Sequence, residues 1–126
     1  MNQYLLKITI TLLSSGLFIW LANSVPVFAQ TATIQVFTLD LKIGSQNQQV
    51  TILQQLLAAE SPDIYPEKMV SGYFGPLTQA AVKRFQAKYA SEILIPAGVD
   101  SPTGFVGPFT RTKLNKVYIQ LYHSKR

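Results

Sequence analysis

The ionisable side chains of this sequence are few and poorly spaced for catalysis. Cysteine is absent and His123 is the only histidine, so there is no thiol nucleophile and little from which to build a zinc site. Hydrolysis of a glycan needs two carboxylates held at a set separation. Glu60, Asp63 and Glu67 lie close in sequence, but intervening prolines prevent a shared helical face. We therefore expect no enzyme activity and no cofactor. The remaining acidic residues are Asp40, Glu92 and Asp100.

The basic side chains are concentrated in the second half of the chain, at positions 83, 84, 88, 111, 113, 116, 125 and 126. The formal net charge is +5 and the isoelectric point is about 9.6. Such a set can attract nucleic acid or an anionic wall polymer, or can simply be a solvated helix surface.

The N-terminal segment has the pattern of a secretory signal peptide over Met1–Ala29. Lys7 is followed by a charge-free apolar run. Val27 and Ala29 then place small residues at positions −3 and −1 of a signal-peptidase cleavage site. The alternative is a retained membrane anchor, since the segment is long enough to span a bilayer. Pro26 weakens that alternative. An export signal also argues against nucleic acid as a partner.

Two later segments repeat each other in register. Residues 72–85 read GYFGPLTQAAVKRF and residues 104–117 read GFVGPFTRTKLNKV, with an offset of 32 residues. Each copy predicts a helix start, because glycine suits the N-cap, proline suits the first helical position and a threonine hydroxyl in the first turn can reach free backbone groups. These residues are Gly75, Pro76 and Thr78 in the first copy and Gly107, Pro108 and Thr110 in the second.

Apolar spacing predicts three helices. The first follows a turn at residues 44–47 and runs to about Ala59. The second runs to about Tyr89 and has an apolar stripe of Leu77, Ala81, Phe85 and Tyr89, with Val82 beside it. The third runs to about Tyr122. Loops are expected at residues 60–71 and 91–103, the latter with an apolar run at 93–95 turned inward. The predicted fold is all-α, a compact three-helix domain with long loops.

Three ordered blocks, at residues 41–57, 72–86 and 104–114, resemble the peptidoglycan-binding domain family of small three-helix modules. The resemblance extends from about Phe37 to Tyr118. Asn47 stands where the family usually has a second glycine, and asparagine tolerates a left-handed turn better than other residues. Together with the signal-peptide pattern, the resemblance predicts a signal peptide at 1–29, a short segment at 30–36, the domain at 37–122 and a basic tail at 123–126.

The resemblance implies a non-catalytic, exported module that binds bacterial cell-wall peptidoglycan, through either stem peptide or glycan. Its location would be the periplasm, the cell wall or the exterior. Its partners would be peptidoglycan and a separate wall-active enzyme, with no nucleic acid and with membrane contact only through an uncleaved signal segment. The alternative is a protein-docking module of the same fold without wall affinity, and a small wall hydrolase is the weakest hypothesis.

Most motif residues are expected to support the fold rather than to touch ligand. The glycines cap helices, Phe85 fills the core, and buried glutamine amides hold loops by bonding backbone groups. This structural set is Gly44, Gln54, Gly75, Thr78, Phe85, Gln86, Gly107 and Thr110. Ligand contacts are expected around the helix starts, where aromatic faces can stack on sugars and helix N-termini favour carboxylates. The candidates are Tyr73, Gln79, Arg84, Phe105 and Arg111.

Overall fold

The structure is a computed structural model that describes residues 35–123. The predicted signal peptide, its anchor alternative, residues 30–34 and residues 124–126 of the basic tail lie outside the described residues. Within residues 35–123, no helix is both long and apolar enough to span a membrane.

The described part of the chain contains four helices and no strand, so the all-α prediction is confirmed. The helices are α1 (Gln48–Glu60), α2 (Pro76–Lys88), α3 (Ala90–Ala97) and α4 (Pro108–Tyr122). Helix α1 packs against α2 and α4, and α3 packs against the same two helices. The predicted count of three was too low by the short helix α3.

Helix α3 occupies a segment that was predicted to be a loop, and that prediction is wrong for residues 91–97. It rested on the two prolines and the glycine of residues 91–103, but Pro96 lies in the last turn of the helix, which ends at Ala97 and has Gly98 as its C-cap. The preceding apolar run explains why the helix forms, because Ile93 and Leu94 are buried. Ile95, which was expected to turn inward with them, is 74% exposed.

Helices α2 and α4 begin as the repeat predicts. Gly75 and Gly107 are the N-cap residues, with nearly identical extended backbones, and a proline follows each of them. Helix α2 buries Thr78, Ala81, Val82, Phe85 and Gln86. Leu77, predicted to belong to the apolar stripe, is 41% exposed. The buried face includes Thr78 and Gln86 instead, whose polar side chains are satisfied by hydrogen bonds.

Asn47 is the N-cap of α1, and its backbone is extended (φ −168°). The left-handed turn that was expected at this position is therefore not required. Instead, the Asn47 side-chain oxygen accepts a hydrogen bond from Val50 N at 3.2 Å. A substitution at an N-cap from glycine to asparagine adds such a bond to the start of the helix.

A turn at residues 41–45, here called the central turn, lies between the two sequence repeats. Leu41 and Val106 exchange both backbone hydrogen bonds, at 3.1 and 2.8 Å. On the other side, Gly44 N donates to Phe74 O at 3.0 Å, and Phe74 N donates to Ser45 O at 2.9 Å. Phe74 and Val106 occupy the same position in the two repeats, and both are fully buried. The central turn thus joins both repeats to one core.

The N-terminal strap, residues 36–40, is fastened to helices by side-chain amides. Asn115 Oδ1 accepts from the N–H groups of Val36 and Phe37, each at 2.9 Å. Gln49 Oε1 accepts from the N–H groups of Thr38 and Leu39, each at 3.0 Å. The strap has no regular secondary structure, so these bonds satisfy backbone donors that a helix or sheet would otherwise satisfy.

Glu60 joins the end of α1 to the end of α2. Its carboxylate accepts hydrogen bonds from Lys88 Nζ at 2.8 Å and from the Tyr89 hydroxyl, and its side chain is only 9% exposed. The loop that was expected at residues 60–71 therefore begins one residue later, because Glu60 is the last residue of α1. Burial alone would raise the pKa of the Glu60 carboxyl, but the bonds from Lys88 and Tyr89 and the charges of Lys88 and Lys113 together lower it below 4.5.

A substitution at Phe85 tests the packing of α2, because the Phe85 side chain is fully buried. We expect Phe85→Ala to lower the free energy of unfolding by about 3–5 kcal/mol, since it removes a large apolar side chain and leaves a cavity. Thermal or urea denaturation measures the change. Leu77→Ala, on the exposed side of the same helix, is the matched control and should cost less than about 1 kcal/mol. Equal losses in the two variants would show that the helix phase is wrong.

The Glu60→Gln substitution should make the free energy of unfolding depend less on pH in the acidic range. A lowered carboxyl pKa in the folded state stabilises the protein above about pH 4.5, and this contribution is lost as the pH falls through the folded-state value. We expect the variant to be less stable than wild type at pH 7, by on the order of 1 kcal/mol, and the difference to shrink below about pH 4. Urea titrations between neutral pH and pH 3 measure it.

Glu67→Gln is the control for this titration, since Glu67 is an exposed acid in the following loop. Indistinguishable pH profiles for the Glu60 and Glu67 variants would contradict a special role for Glu60.

Candidate functional site

A buried glutamine from α1 holds the first repeat. Gln54 Oε1 accepts from the N–H groups of Ser71 and Gly72, each at 2.9 Å. Its Nε2 donates to Tyr73 O at 2.9 Å and to Thr78 Oγ1 at 3.0 Å. One amide therefore binds the loop before α2 and the first turn of α2 at the same time.

A second glutamine, 32 residues later, holds the second repeat in the same way. Gln86 Oε1 accepts from Gly104 N at 2.9 Å, and its Nε2 donates to Phe105 O at 2.8 Å and to Thr110 Oγ1 at 3.1 Å. Gln54 and Gln86 are 1% and 2% exposed, and a buried amide is stable only when its donors and acceptor are paired. We call each arrangement a glutamine latch.

The threonines of the repeat have a different role from the one predicted. Thr78 and Thr110 were expected to satisfy free backbone groups of the first helical turn. Their hydroxyl oxygens instead accept hydrogen bonds from Gln54 and Gln86. Each threonine is thus the helix-side half of a glutamine latch.

The first residue of each repeat is a glycine for two reasons, its left-handed backbone conformation and the little room left for a Cβ. Gly72 and Gly104 both have φ of +76°, a left-handed conformation that other residues adopt only with strain. A Cβ at Gly104 would also lie 2.6 Å from Gln79 Cγ. This backbone turn directs the next residue, an aromatic, toward solvent.

The aromatics Tyr73 and Phe105 lie against the glycine that caps the following helix. A Cβ at Gly75 would be 3.4 Å from Tyr73 Cε1, and a Cβ at Gly107 would be 2.9 Å from Phe105 Cε1. The rings remain 46% and 40% exposed. Each ring is therefore held in place by the backbone beneath it while part of its surface stays open to solvent.

Each aromatic borders a groove at the start of a helix. The Tyr73 groove has a volume of about 190 Å³ and is lined by Tyr65, Met69, Ser71, Tyr73, Gly75, Pro76, Leu77 and Thr78. The Phe105 groove has a volume of about 290 Å³ and is lined by Gln86, Ile93, Leu94, Ala97, Val99, Thr103, Phe105, Gly107, Pro108, Phe109 and Thr110. Both are mainly apolar, and α3 supplies one wall of the second.

The other three ligand candidates lie outside these two grooves. Gln79 packs beneath Gly104. Arg84 Nη1 donates to Ile64 O at 3.2 Å and so supports the loop after α1. Arg111 Nη1 donates to Thr38 O at 2.6 Å, and its Nη2 lies 3.2 Å from Asp40 Oδ1. Arg111 thus fastens the N-terminal strap and borders a separate hollow of about 240 Å³.

The basic surface of α2 and α4 is partly neutralised by ion pairs. Lys88 pairs with Glu60 at 2.8 Å, while Lys113 and Lys116 approach Glu92 at 2.6 and 3.8 Å. Lys113 also lies 4.0 Å from the centre of the Tyr89 ring. The two contacts with Glu92 join α3 to α4, and Lys88, Lys113 and Lys116 are therefore not unpaired charges.

No group of three or more potential metal-ligating side chains occurs in the described residues. The grooves are lined by aromatic, aliphatic, hydroxyl and amide groups, without a carboxylate or a histidine. Chemically, this set suits the recognition of C–H surfaces and small apolar groups rather than proton transfer.

One segment of the chain matches a known family model. Residues 46–91 match the family model described as "Putative peptidoglycan binding domain". The predicted resemblance is therefore confirmed for this segment, which is somewhat more than a third of the chain. It contains α1, the first glutamine latch, the complete Tyr73 groove and α2. No curated protein matches the chain, and no solved structure matches it.

Sequence reasoning missed several groove residues. Leu77 and Phe109 hold the same position in the two repeats, are 41% and 43% exposed, and line the two grooves. The sequence did contain a signal for these two residues, because a large apolar residue directly follows the helix-starting proline in both repeats. The contributions of Ile93 and Leu94 to the second groove could not be read from the repeat, because α3 has no counterpart in the first copy.

The glutamine latches can be tested with an isosteric change. We expect Gln54→Glu to destabilise the protein by about 2–4 kcal/mol at pH 7, because a carboxylate cannot donate to Tyr73 O or Thr78 Oγ1 and would be buried without a counter-charge. Denaturant unfolding measures the loss. Gln55→Glu, at the exposed neighbouring position, should have little effect. Equal stability of the Gln54→Glu and Gln55→Glu variants would show that the glutamine latch does not stabilise the fold.

Proposed function

We propose that this chain is a non-catalytic, exported module that binds bacterial cell-wall peptidoglycan. The observation that carries the proposal is the coincidence of the family match with a formed site. The matched segment, residues 46–91, includes all the residues that line the Tyr73 groove. The matched family is a binding domain, and no groove residue offers catalytic chemistry.

The Tyr73 groove has the properties that a peptidoglycan fragment requires. An aromatic face that is held in place can stack on the C–H surface of a sugar. The apolar wall beside it, with Leu77 and Met69, can receive small alkyl side chains of a stem peptide. The first free N–H groups of α2 follow Pro76, and a helix N-terminus favours a carboxylate such as those on stem peptides.

Tyr73 and Phe105 are the proposed ligand contacts among the five candidates. Arg84 and Arg111 already bond backbone carbonyls, and Gln79 supports Gly104, so we assign these three to the support of the surrounding loops. A net charge of +5 favours approach to an anionic wall polymer by general attraction rather than through one specific ion pair.

Export is the second part of the proposal. It is supported by the signal-peptide pattern of Met1–Ala29 and by the wall ligand that the family description names. Export would place the domain in the periplasm, in the cell wall or outside the cell, where it meets peptidoglycan directly.

Co-sedimentation with purified insoluble peptidoglycan tests the binding site. We expect Tyr73→Ala to weaken binding by about tenfold, because loss of a stacking aromatic removes on the order of 1 kcal/mol or somewhat more. Tyr122→Ala is the matched control: Tyr122 is a tyrosine of similar exposure, 44% against 46%, at the far end of α4. Circular dichroism shows whether each variant is folded.

Three results would contradict this proposal. Folded Tyr73→Ala that sediments like wild type would move the ligand away from the Tyr73 groove. Wild type that never sediments would overturn wall binding and leave the protein-docking alternative, which would use the same exposed apolar residues. Clearing of a wall suspension by the protein would overturn the non-catalytic assignment.

A further inference from the structure

We infer that the Phe105 groove is a second binding site for the same class of ligand, so that one chain binds two peptidoglycan fragments. The inference rests on the proposed function of the Tyr73 groove. It goes beyond that function because the residues of the second repeat that line the Phe105 groove lie outside the matched segment 46–91.

The backbones of the two repeats match at both glycines that border the grooves. The left-handed glycines have the same φ of +76°. The capping glycines have φ of −99° and −98° and ψ of −171° and −168°. One glutamine latch holds the segment that borders each groove, and both repeats are bonded to the central turn. The N–H groups of the two helix starts are therefore presented in the same way.

The exposed side chains of the two grooves are also of matching types. An aromatic lies over the capping glycine in each, Tyr73 in one and Phe105 in the other. A large apolar residue follows each proline, Leu77 and Phe109, and both are more than two-fifths exposed. Neither pair is needed to fill the core. Exposed apolar groups that recur at matched positions beside a groove indicate a binding surface.

The walls that differ change the size of the groove but not its chemistry. Tyr65 and Met69 form a wall of the Tyr73 groove, and the Tyr65 hydroxyl is already bonded to Met69 O at 2.7 Å. Ile93, Leu94 and Val99 form the corresponding wall of the Phe105 groove. Both walls therefore present apolar surface. The second groove is larger by about half, at 290 against 190 Å³, so a fragment that fits the first also has room in the second.

Titration with a soluble probe counts the sites directly. The probe is a purified disaccharide–peptide fragment released from peptidoglycan by a muramidase, and isothermal titration calorimetry gives the stoichiometry. We expect two fragments per wild-type chain, one per chain for Tyr73→Ala, one for Phe105→Ala and none for the double variant. The affinity of the remaining site should change by less than about twofold, as for independent sites.

Amide chemical shifts locate the sites in the same samples. In wild type, shifts should change at residues 72–78 and at residues 104–110. Each single variant should lose only its own set. Tyr122→Ala is again the control, with both sets retained. Tyr73→Leu and Phe105→Leu keep apolar volume over the capping glycine and remove the aromatic face, so they provide the same test if an alanine variant unfolds.

The outcomes separate this inference from the proposed function. Wild type that binds one fragment, with one of the two aromatic variants unaffected, would overturn the second site while leaving wall binding in place. Wild type that binds no fragment and does not sediment with peptidoglycan would overturn the proposed function and this inference together.

Discussion

The glutamine latch is the interaction on which the rest of the structure depends. A single amide pairs with the loop before a helix and with the first turn of that helix, and it does so from inside the core. Because Gln54 and Gln86 are almost fully buried, the free energy of an unpaired amide would be large. The loop conformation, the position of the aromatic and the direction of the helix are therefore fixed together. The grooves are a consequence of this constraint, since they lie on the outer side of the segments that the latches hold.

The two latches act on one body because the central turn bonds to both repeats. Phe74 and Val106 place buried side chains in the core and use their backbone groups to pair with residues 41–45. This arrangement resembles a very short sheet reduced to two isolated bridges. It gives the loops of an all-α domain a defined geometry, which is what a binding surface made mostly of loops requires.

The sequence permitted prediction of those features that depend on short spacing. The Gly-Pro helix starts, the buried Phe85 and the loop-holding role of the glutamines all follow from local patterns of a few residues. Features that depend on distant partners were not accessible. Arg111 looked like a free cation beside a helix start, but its partners Thr38 and Asp40 are more than 70 residues away in sequence. Helix α3 was missed because Pro96 signals a break, and because the burial of Ile93 and Leu94, which favours the helix, depends on packing against distant residues.

The N-terminal strap has a consequence for the order in which the chain folds. The latches close over separations of 17 to 24 residues, whereas the bonds that Val36 N and Phe37 N donate to Asn115 close over 79 and 78 residues. Loop-closure entropy grows with the length of chain that must be ordered, and nonlocal contacts slow folding. Each repeat can therefore assemble around its own glutamine before the ends of the domain meet. We therefore expect the strap to join an already formed α4, so that the contacts between the two ends of the domain form last.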